Sequence, residues 1–272
     1  MPTNLSPESP IGVFDSGIGG LTVAASLRRL LPNESILYIG DTARVPYGGK
    51  SRETVERYSI EIGNMLLRGG AKMVVVACNT ASALGVPRMK EVFGVPVLGV
   101  VDPGAQAAVD STKNKTIGVI GTRATIASGA YEKAIHALEP SATIHSAPCP
   151  LLVPLIEEGL IEDSVTDQML ARYLDPLLSQ GIDTLVLGCT HYPLLKNAIA
   201  RIVGPAVSLV DSAENCARAV GLLLTDSGLS SSQKDSGQLE VALTDSAEGF
   251  LRTAAKALEL PISKISLQST RA

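Results

Sequence analysis

Two short stretches constrain this chain more than any other part of it. The first is Met73-Val74-Val75-Val76-Ala77-Cys78-Asn79-Thr80-Ala81-Ser82-Ala83. The second, Thr184-Leu185-Val186-Leu187-Gly188-Cys189-Thr190-His191-Tyr192-Pro193, repeats its design, with Cys189 lying 111 residues after Cys78. Each opens with an unbroken run of β-branched and aliphatic residues, the pattern of a parallel strand buried on both faces. Each run ends on a small residue, then cysteine, then threonine within two positions, and a helical pattern resumes soon after. Open α/β sheets bind ligands beyond the carboxyl ends of their strands, so each thiol falls at a binding edge. A helix N-terminus beyond the sulfur favours the thiolate, which predicts a cysteine pKa lowered from about 8.5 toward ~3.5–7.5. Two such loops predict a symmetric pair of thiols facing one pocket.

A second repeat runs in the same order. Ile117-Gly-Val-Ile-Gly-Thr-Arg123 aligns with Ile11-Gly-Val-Phe-Asp-Ser-Gly17 at an offset of 106 residues, close to that of the cysteines. Two features repeating at nearly one offset imply a duplicated α/β unit. The expected fold is α/β, with two pseudo-symmetric open parallel-sheet domains and the active site in the interdomain cleft, where ligand clefts tend to lie. The first domain takes residues 1–101 plus 212–272, and the second takes 102–211.

Strands are expected at Ile11–Phe14, Ser35–Ile39, Val95–Val101, Lys115–Ile120 and Ala206–Val210, besides the cysteine strands. Helices are expected at Leu21–Leu31, Arg52–Leu67 and about Ala213–Leu224. Asp102-Pro-Gly104 reads as a crossing between the lobes, and Thr143–Pro150 as a strand end and turn. Residues 225–238 form a polar surface loop. A last strand at Leu239–Leu243 and a last helix at Glu248–Leu258 return the chain to the first lobe.

Composition excludes several classes. At 272 residues, 45% hydrophobic and 18% charged, the chain can bury a substantial core. A net charge of −4 with 3% aromatics argues against nucleic acid as a primary ligand. Met1–Pro10 lacks the basic and apolar regions of a signal peptide, and no apolar run approaches the ~20 residues that span a bilayer. The four cysteines (78, 149, 189 and 216) form no C-x-x-C pair and read as reduced thiols in the cytoplasm. Cys149 and Cys216 read as small buried apolar groups.

The turn Asp15-Ser-Gly-Ile-Gly-Gly20 sits between a strand and a helix but lacks the G-x-G-x-x-G spacing and the lysine of a P-loop. It fits a small carboxylate held by backbone N–H groups better than a phosphate. Gly40-Asp-Thr-Ala-Arg-Val-Pro-Tyr-Gly-Gly49 is a defined loop of the kind that carries functional residues.

The thiols leave several chemistries open. A cysteine hydrolase needs a histidine base from among His136, His145 and His191. A zinc site from Cys78, Cys189 and His191 matches no common ligand spacing. A redox dithiol is a further alternative. One chemistry needs two equivalent bases on opposite faces of a small substrate: stereoinversion at a carbon bearing an acidic proton. The α-proton of an amino acid is weakly acidic, so each thiol then needs an oriented neighbour in a closed site. Asp15 and His191 are the candidates, against plainer readings as a helix N-cap and a packed loop histidine. Glu157 and Glu158 read most simply as a solvated helix end.

Asp15-Ser-Gly-Ile-Gly-Gly, Gly40-Asp-Thr-Ala-Arg-Val-Pro-Tyr-Gly, Ala77-Cys-Asn-Thr-Ala-Ser and Gly188-Cys-Thr-His-Tyr-Pro-Leu closely resemble, together and in order, the glutamate racemases of the cofactor-independent aspartate/glutamate racemase family. The resemblance spans about residues 11–211; the last 60 residues carry little of it. It implies a two-domain α/β fold and interconversion of L- and D-glutamate, supplying D-glutamate for peptidoglycan, with neither pyridoxal phosphate nor metal. Carried over residue by residue, Cys78 acts on the D-enantiomer and Cys189 on the L-enantiomer. Asp15 assists the first thiol and His191 the second, with Glu157 close by. Substrate contacts fall to Asp15, Ser16, Tyr47, Gly48, Asn79, Thr80, Thr190 and His191, with Thr122 a further candidate. The resemblance also implies a homodimer. The alternatives are a racemase of aspartate or a related acidic compound, and a non-catalytic binder of acidic amino acids, for which two thiols are superfluous.

Overall fold

The β-branched and aliphatic runs become the strands of two parallel sheets in the computed structural model, which describes residues 6–246 and 259–269. The expected helix at Glu248–Leu258 lies outside the described residues.

The first series runs β1 (Ile11–Asp15), α1 (Leu21–Leu30), β2 (Ile36–Gly40), α2 (Arg52–Arg68), β3 (Met73–Val76), α3 (Asn79–Leu84), α4 (Val86–Val92) and β4 (Val97–Gly99). Helix α5 (Val101–Ser111) leads to the second series: β5 (Thr116–Gly121), α6 (Arg123–Ala127), α7 (Ala130–Leu138), β6 (Thr143–Pro148), α8 (Leu152–Glu157), α9 (Ser164–Leu178), β7 (Thr184–Gly188), α10 (Lys196–Val203) and β8 (Ser208–Asp211). A 3₁₀ turn, Tyr192–Leu195, separates β7 from α10. The chain closes with α11 (Ser212–Asp226), β9 (Leu239–Leu243) and β10 (Lys264–Leu267).

Sheet order makes the duplication explicit. The second sheet reads β6-β5-β7-β8, and the first contains the matching order β2-β1-β3-β4, extended at its β2 edge by β9 and β10. Every pairing is parallel. The central strands β1, β3 and β7 are buried at every position, because helices cover both faces. Along β3, Met73 and Val75 enter one core while Val74 and Val76 enter the other. Burial at about 1.5–3 kcal/mol per large aliphatic side chain holds a strand of only four residues more firmly than its propensity could.

Three features differ from expectation. The strand expected at Val95–Val101 is confined to Val97–Gly99, and Asp102-Pro103-Gly104 is the first turn of α5, not an irregular crossing. Proline is tolerated there because the first turn's N–H groups have no intrahelical acceptor to lose. Strand β10 was not anticipated at all.

Candidate functional site

Strand ends and the loops beyond them build one cavity of about 240 Å³ between the carboxyl ends of the two sheets. The first sheet supplies Ser16, the Val45–Gly49 segment, Cys78, Asn79 and Thr80; the second supplies Thr122, Arg123, Cys149, Pro150, Val153, Pro154, Glu157, Cys189, Thr190 and His191. Every residue carried over from the family resemblance lines this cavity except Asp15, which is fully buried behind it; His136 and His145, the other candidate bases, do not line it.

Cys78 follows β3 and takes the N-cap position of α3 in extended conformation. Its Sγ donates to Ser16 Oγ at 3.4 Å and accepts from the Ala81 N–H at 3.5 Å. Its environment overturns the expected pKa. Burial first, and the Asp15 carboxylate second, push the Cys78 thiol up to about 12, although the Ser16 and Ala81 hydrogen bonds pull the other way. One N–H of a six-residue helix does not offset the loss of water around a thiolate. At neutral pH Cys78 holds its proton.

The glycine turn also differs in detail. The carboxylate it grips belongs to the chain itself: Asp15 Oδ2 accepts from the N–H groups of Gly17 (3.1 Å) and Gly20 (3.0 Å) and from the Tyr38 hydroxyl (3.5 Å). These N–H groups are therefore committed to Asp15. Burial raises the Asp15 pKa, and the charge of His191 opposes that rise.

Cys189 occupies the corresponding position beyond β7. Gly188 before it passes so close to the chain that a Cβ there would lie 2.6 Å from the Ile120 carbonyl oxygen. Cys189 Sγ lies 3.9 Å from His191 Nδ1, and His191 Nε2 lies 3.2 Å from Glu157 Oε1. Burial works against a charge on His191, but its hydrogen bonds to Cys189 and Glu157 prevail and raise its pKa to about 10. The raised pKa favours the imidazolium, with one nitrogen toward the Cys189 sulfur and the other on a carboxylate. Glu157, at the end of α8, is this anchor as well as a helix end, its side chain 40% exposed. The first sheet's glycine turn lies directly against the ring, since a Cβ on Gly19 would come within 2.5 Å of Nδ1.

The Gly40–Gly49 loop forms another wall. Tyr47, 1% exposed, donates its hydroxyl to Asp41, which also accepts from Arg44 Nε (2.7 Å) and Thr244 Oγ1 (2.9 Å). Gly48 meets the second sheet's loop: its carbonyl accepts the Ala124 N–H at 3.0 Å, and a Cβ there would stand 2.7 Å from Thr122 Cβ. Thr80 and Thr122, from opposite sheets, hydrogen-bond each other at 2.9 Å, and Thr125 Oγ1 lies within 3.1 Å of both hydroxyls. Asn79 Oδ1 accepts from the Tyr131 hydroxyl at 2.6 Å, while its buried Nδ2 has no protein partner. That orphan is an amide donor on a cavity-lining residue, suited to a ligand oxygen.

Several cavity residues were not singled out in the sequence. Cys149 is buried in the second sheet's apolar core, as expected of a packed thiol, yet it also lines the cavity with Pro150, Val153 and Pro154. The duplication carried the signal for them: this stretch follows β6 as the Val45–Gly49 loop follows β2. Cys216 is buried in the core of the first sheet. Among the described residues no cluster of three or more His, Cys, Asp or Glu could hold a metal ion, and no helix is long and apolar enough to cross a membrane.

Residues 18–220 match the family model described as Asp/Glu/Hydantoin racemase. A glutamate racemase of Geobacter metallireducens is 47% identical over 246 residues, covering 90% of this chain and 91% of that protein. The crystal structure of a glutamate racemase isoform from Bacillus anthracis superimposes with a TM-score of 0.92 at 41% identity, over 96% of this chain and 98% of that one. That of the Francisella tularensis glutamate racemase in complex with D-glutamate gives 0.90 at 35% identity, over 97% and 99%.

Proposed function

Because the chain belongs to the Asp/Glu/hydantoin racemase family, and is an amino-acid racemase by that membership, we propose that it interconverts L- and D-glutamate by proton transfer between two cysteines and the opposite faces of the α-carbon. The observation that carries this reading is one cavity with a thiol from each sheet, each in a different proton environment. From the L-enantiomer, the Cys189 sulfur takes the α-proton beside the His191 cation. The Cys78 thiol then delivers its proton to the far face, leaving Cys78 as the thiolate and Cys189 as the thiol. The D-enantiomer runs the same steps in reverse. The high pKa of Cys78 suits this chemistry, because a thiolate formed from a thiol near 12 is a strong base toward a weakly acidic C–H.

Binding falls to the donors around the thiols. The unpaired Asn79 amide and the hydroxyls of Thr80, Thr122 and Thr190 suit the α-carboxylate; Ser16, Tyr47 and Gly48 frame the rest. Asp15 acts from behind, holding Ser16 and the Cys78 loop through the glycine turn without touching substrate. The same reading includes domains of residues 1–101 plus 212–272 and 102–211, a homodimer, and supply of D-glutamate for peptidoglycan in the cytoplasm.

The test is proton NMR of D- and L-glutamate with the protein in D₂O, with chelator and without pyridoxal phosphate. The α-proton signal of either enantiomer is expected to vanish as the opposite enantiomer accumulates. Unchanged glutamate alongside exchanging aspartate would move the substrate to aspartate, and silence with both would leave a binding protein.

A further inference from the structure

Asn79 is the cavity residue whose chemistry depends on which way round its side chain sits. Its amide has two ends of nearly the same shape, one a carbonyl acceptor and the other an NH₂ donor. Partners alone distinguish them. Its outer oxygen is taken by the Tyr131 hydroxyl at 2.6 Å, and its NH₂ is buried with no protein partner. A buried donor left unpaired costs about 1–3 kcal/mol, so the arrangement needs something that enforces it.

Tyr131 lies in α7, behind the second sheet's loops, 3% exposed. The single phenol proton goes to Asn79 Oδ1, the carbonyl end of the amide, which leaves the NH₂ end for another partner. The tyrosine ring is wedged by bare backbone: a Cβ on Gly104 would stand 3.2 Å from the hydroxyl, and one on Gly188 would stand 3.3 Å from Cε2. Burial raises the tyrosine's pKa, so the hydroxyl keeps its proton.

We propose that Tyr131 is a positioning residue, which locks the Asn79 amide so that its NH₂ is presented to a carboxylate oxygen of the substrate. The lock spans α3 and α7, and so ties presentation of that donor to the junction between the two sheets. The proposal rests on reading the cavity as a glutamate site.

Tyr131→Phe removes the hydroxyl and keeps the ring. KM for both glutamate enantiomers should rise about tenfold, the factor supplied by one neutral hydrogen bond, with kcat held within about threefold. Asn79→Ala should raise KM at least as much, and the double variant should be no worse than Asn79→Ala alone, because Tyr131 acts only through that amide. Should Tyr131→Phe not fold, an Asn79 side-chain amide that exchanges freely in the wild type would refute the lock. Multiplying effects in the double variant, or an unmoved KM in Tyr131→Phe, would overturn the proposal. A readout free of turnover separates it from the function itself. In ¹⁵N-labelled protein the two side-chain amide protons of Asn79 should be distinct and slow to exchange, and should merge or broaden in Tyr131→Phe. If the wild type leaves glutamate untouched, the functional reading falls and this signal decides alone: an unchanged Asn79 amide in Tyr131→Phe refutes the lock.

Discussion

His191 carries its charge against its own burial, which makes it the most informative titrating group in the molecule. Its pKa rises from 6.5 to about 10 on folding, so the native state binds a proton that the unfolded chain releases at intermediate pH. The resulting stability is fully present below about 6.5 and is lost as pH rises through about 10. Thermal midpoints of wild type and His191→Gln should therefore differ most in acid and converge toward pH 10. Activity should fall on the same alkaline limb, and Glu157→Gln should move that limb to lower pH by removing one partner of the cation. A limb unmoved in Glu157→Gln would detach the carboxylate from the proton relay. The thiols make the sharper prediction: Cys78→Ala and Cys189→Ala should each reduce racemisation by about a hundred- to ten-thousand-fold with the circular dichroism spectrum retained. Full activity in either variant excludes two-base chemistry. At this scale both thiols and their neighbours were legible from motifs, whereas the pKa of Cys78 was not. Local sequence shows a helix N-terminus beside the sulfur; it does not show the Asp15 carboxylate and the dry core that outweigh it.

Elements were legible where their periodicity was internal and obscure where tertiary contacts decide. Buried runs marked β1, β3, β5 and β7 to within a residue or two. Asp102-Pro103-Gly104 carries turn-forming residues, yet it begins a helix, because the Val101 N–H finds Ser82 Oγ at 3.2 Å and α5 packs between α7 and α11. Strand β10 has three of its four residues exposed at the sheet edge, and its pairing with β9 lies in no local pattern. Helix α11 does have a local start signal, Asp211, whose Oδ1 accepts the Ala213 N–H at 2.7 Å. Asp211→Ala should cost about 1 kcal/mol and lower the urea midpoint with an unchanged slope, while Asp211→Asn, which still caps, should cost only a few tenths. Equal losses in the two variants would assign the effect to the Lys196 ion pair at 3.8 Å instead of the cap.

For the whole molecule, duplication was the legible property, and the matching strand orders of the two sheets express it. What joins the tail to the first sheet was hidden. Lys72, just before β3, is fully buried and places its ammonium 2.5 Å from Glu34 Oε2, 2.5 Å from the Pro7 carbonyl and 2.8 Å from that of Leu229. Glu34 Oε1 in turn accepts the Ser231 N–H at 2.7 Å. A lysine ahead of a strand and a glutamate in a turn look like surface residues; only the return of residues 229–231 over them makes the pair a buried clasp. Its three donors are all matched, so the pair joins segments remote in sequence without an orphan proton on the lysine. Lys72→Met would bury the Glu34 carboxylate without its partner and should cost about 3–5 kcal/mol, a large share of a typical domain's stability. Lys72→Met with Glu34→Leu removes that stranded charge and should recover much of the loss. Recovery should stop short of the wild type, since the Ser231 N–H and the two carbonyls then lack partners. Urea denaturation of the three proteins checks the order. A single variant within about 1 kcal/mol of the wild type would mean that water reaches the pair and that the clasp contributes little.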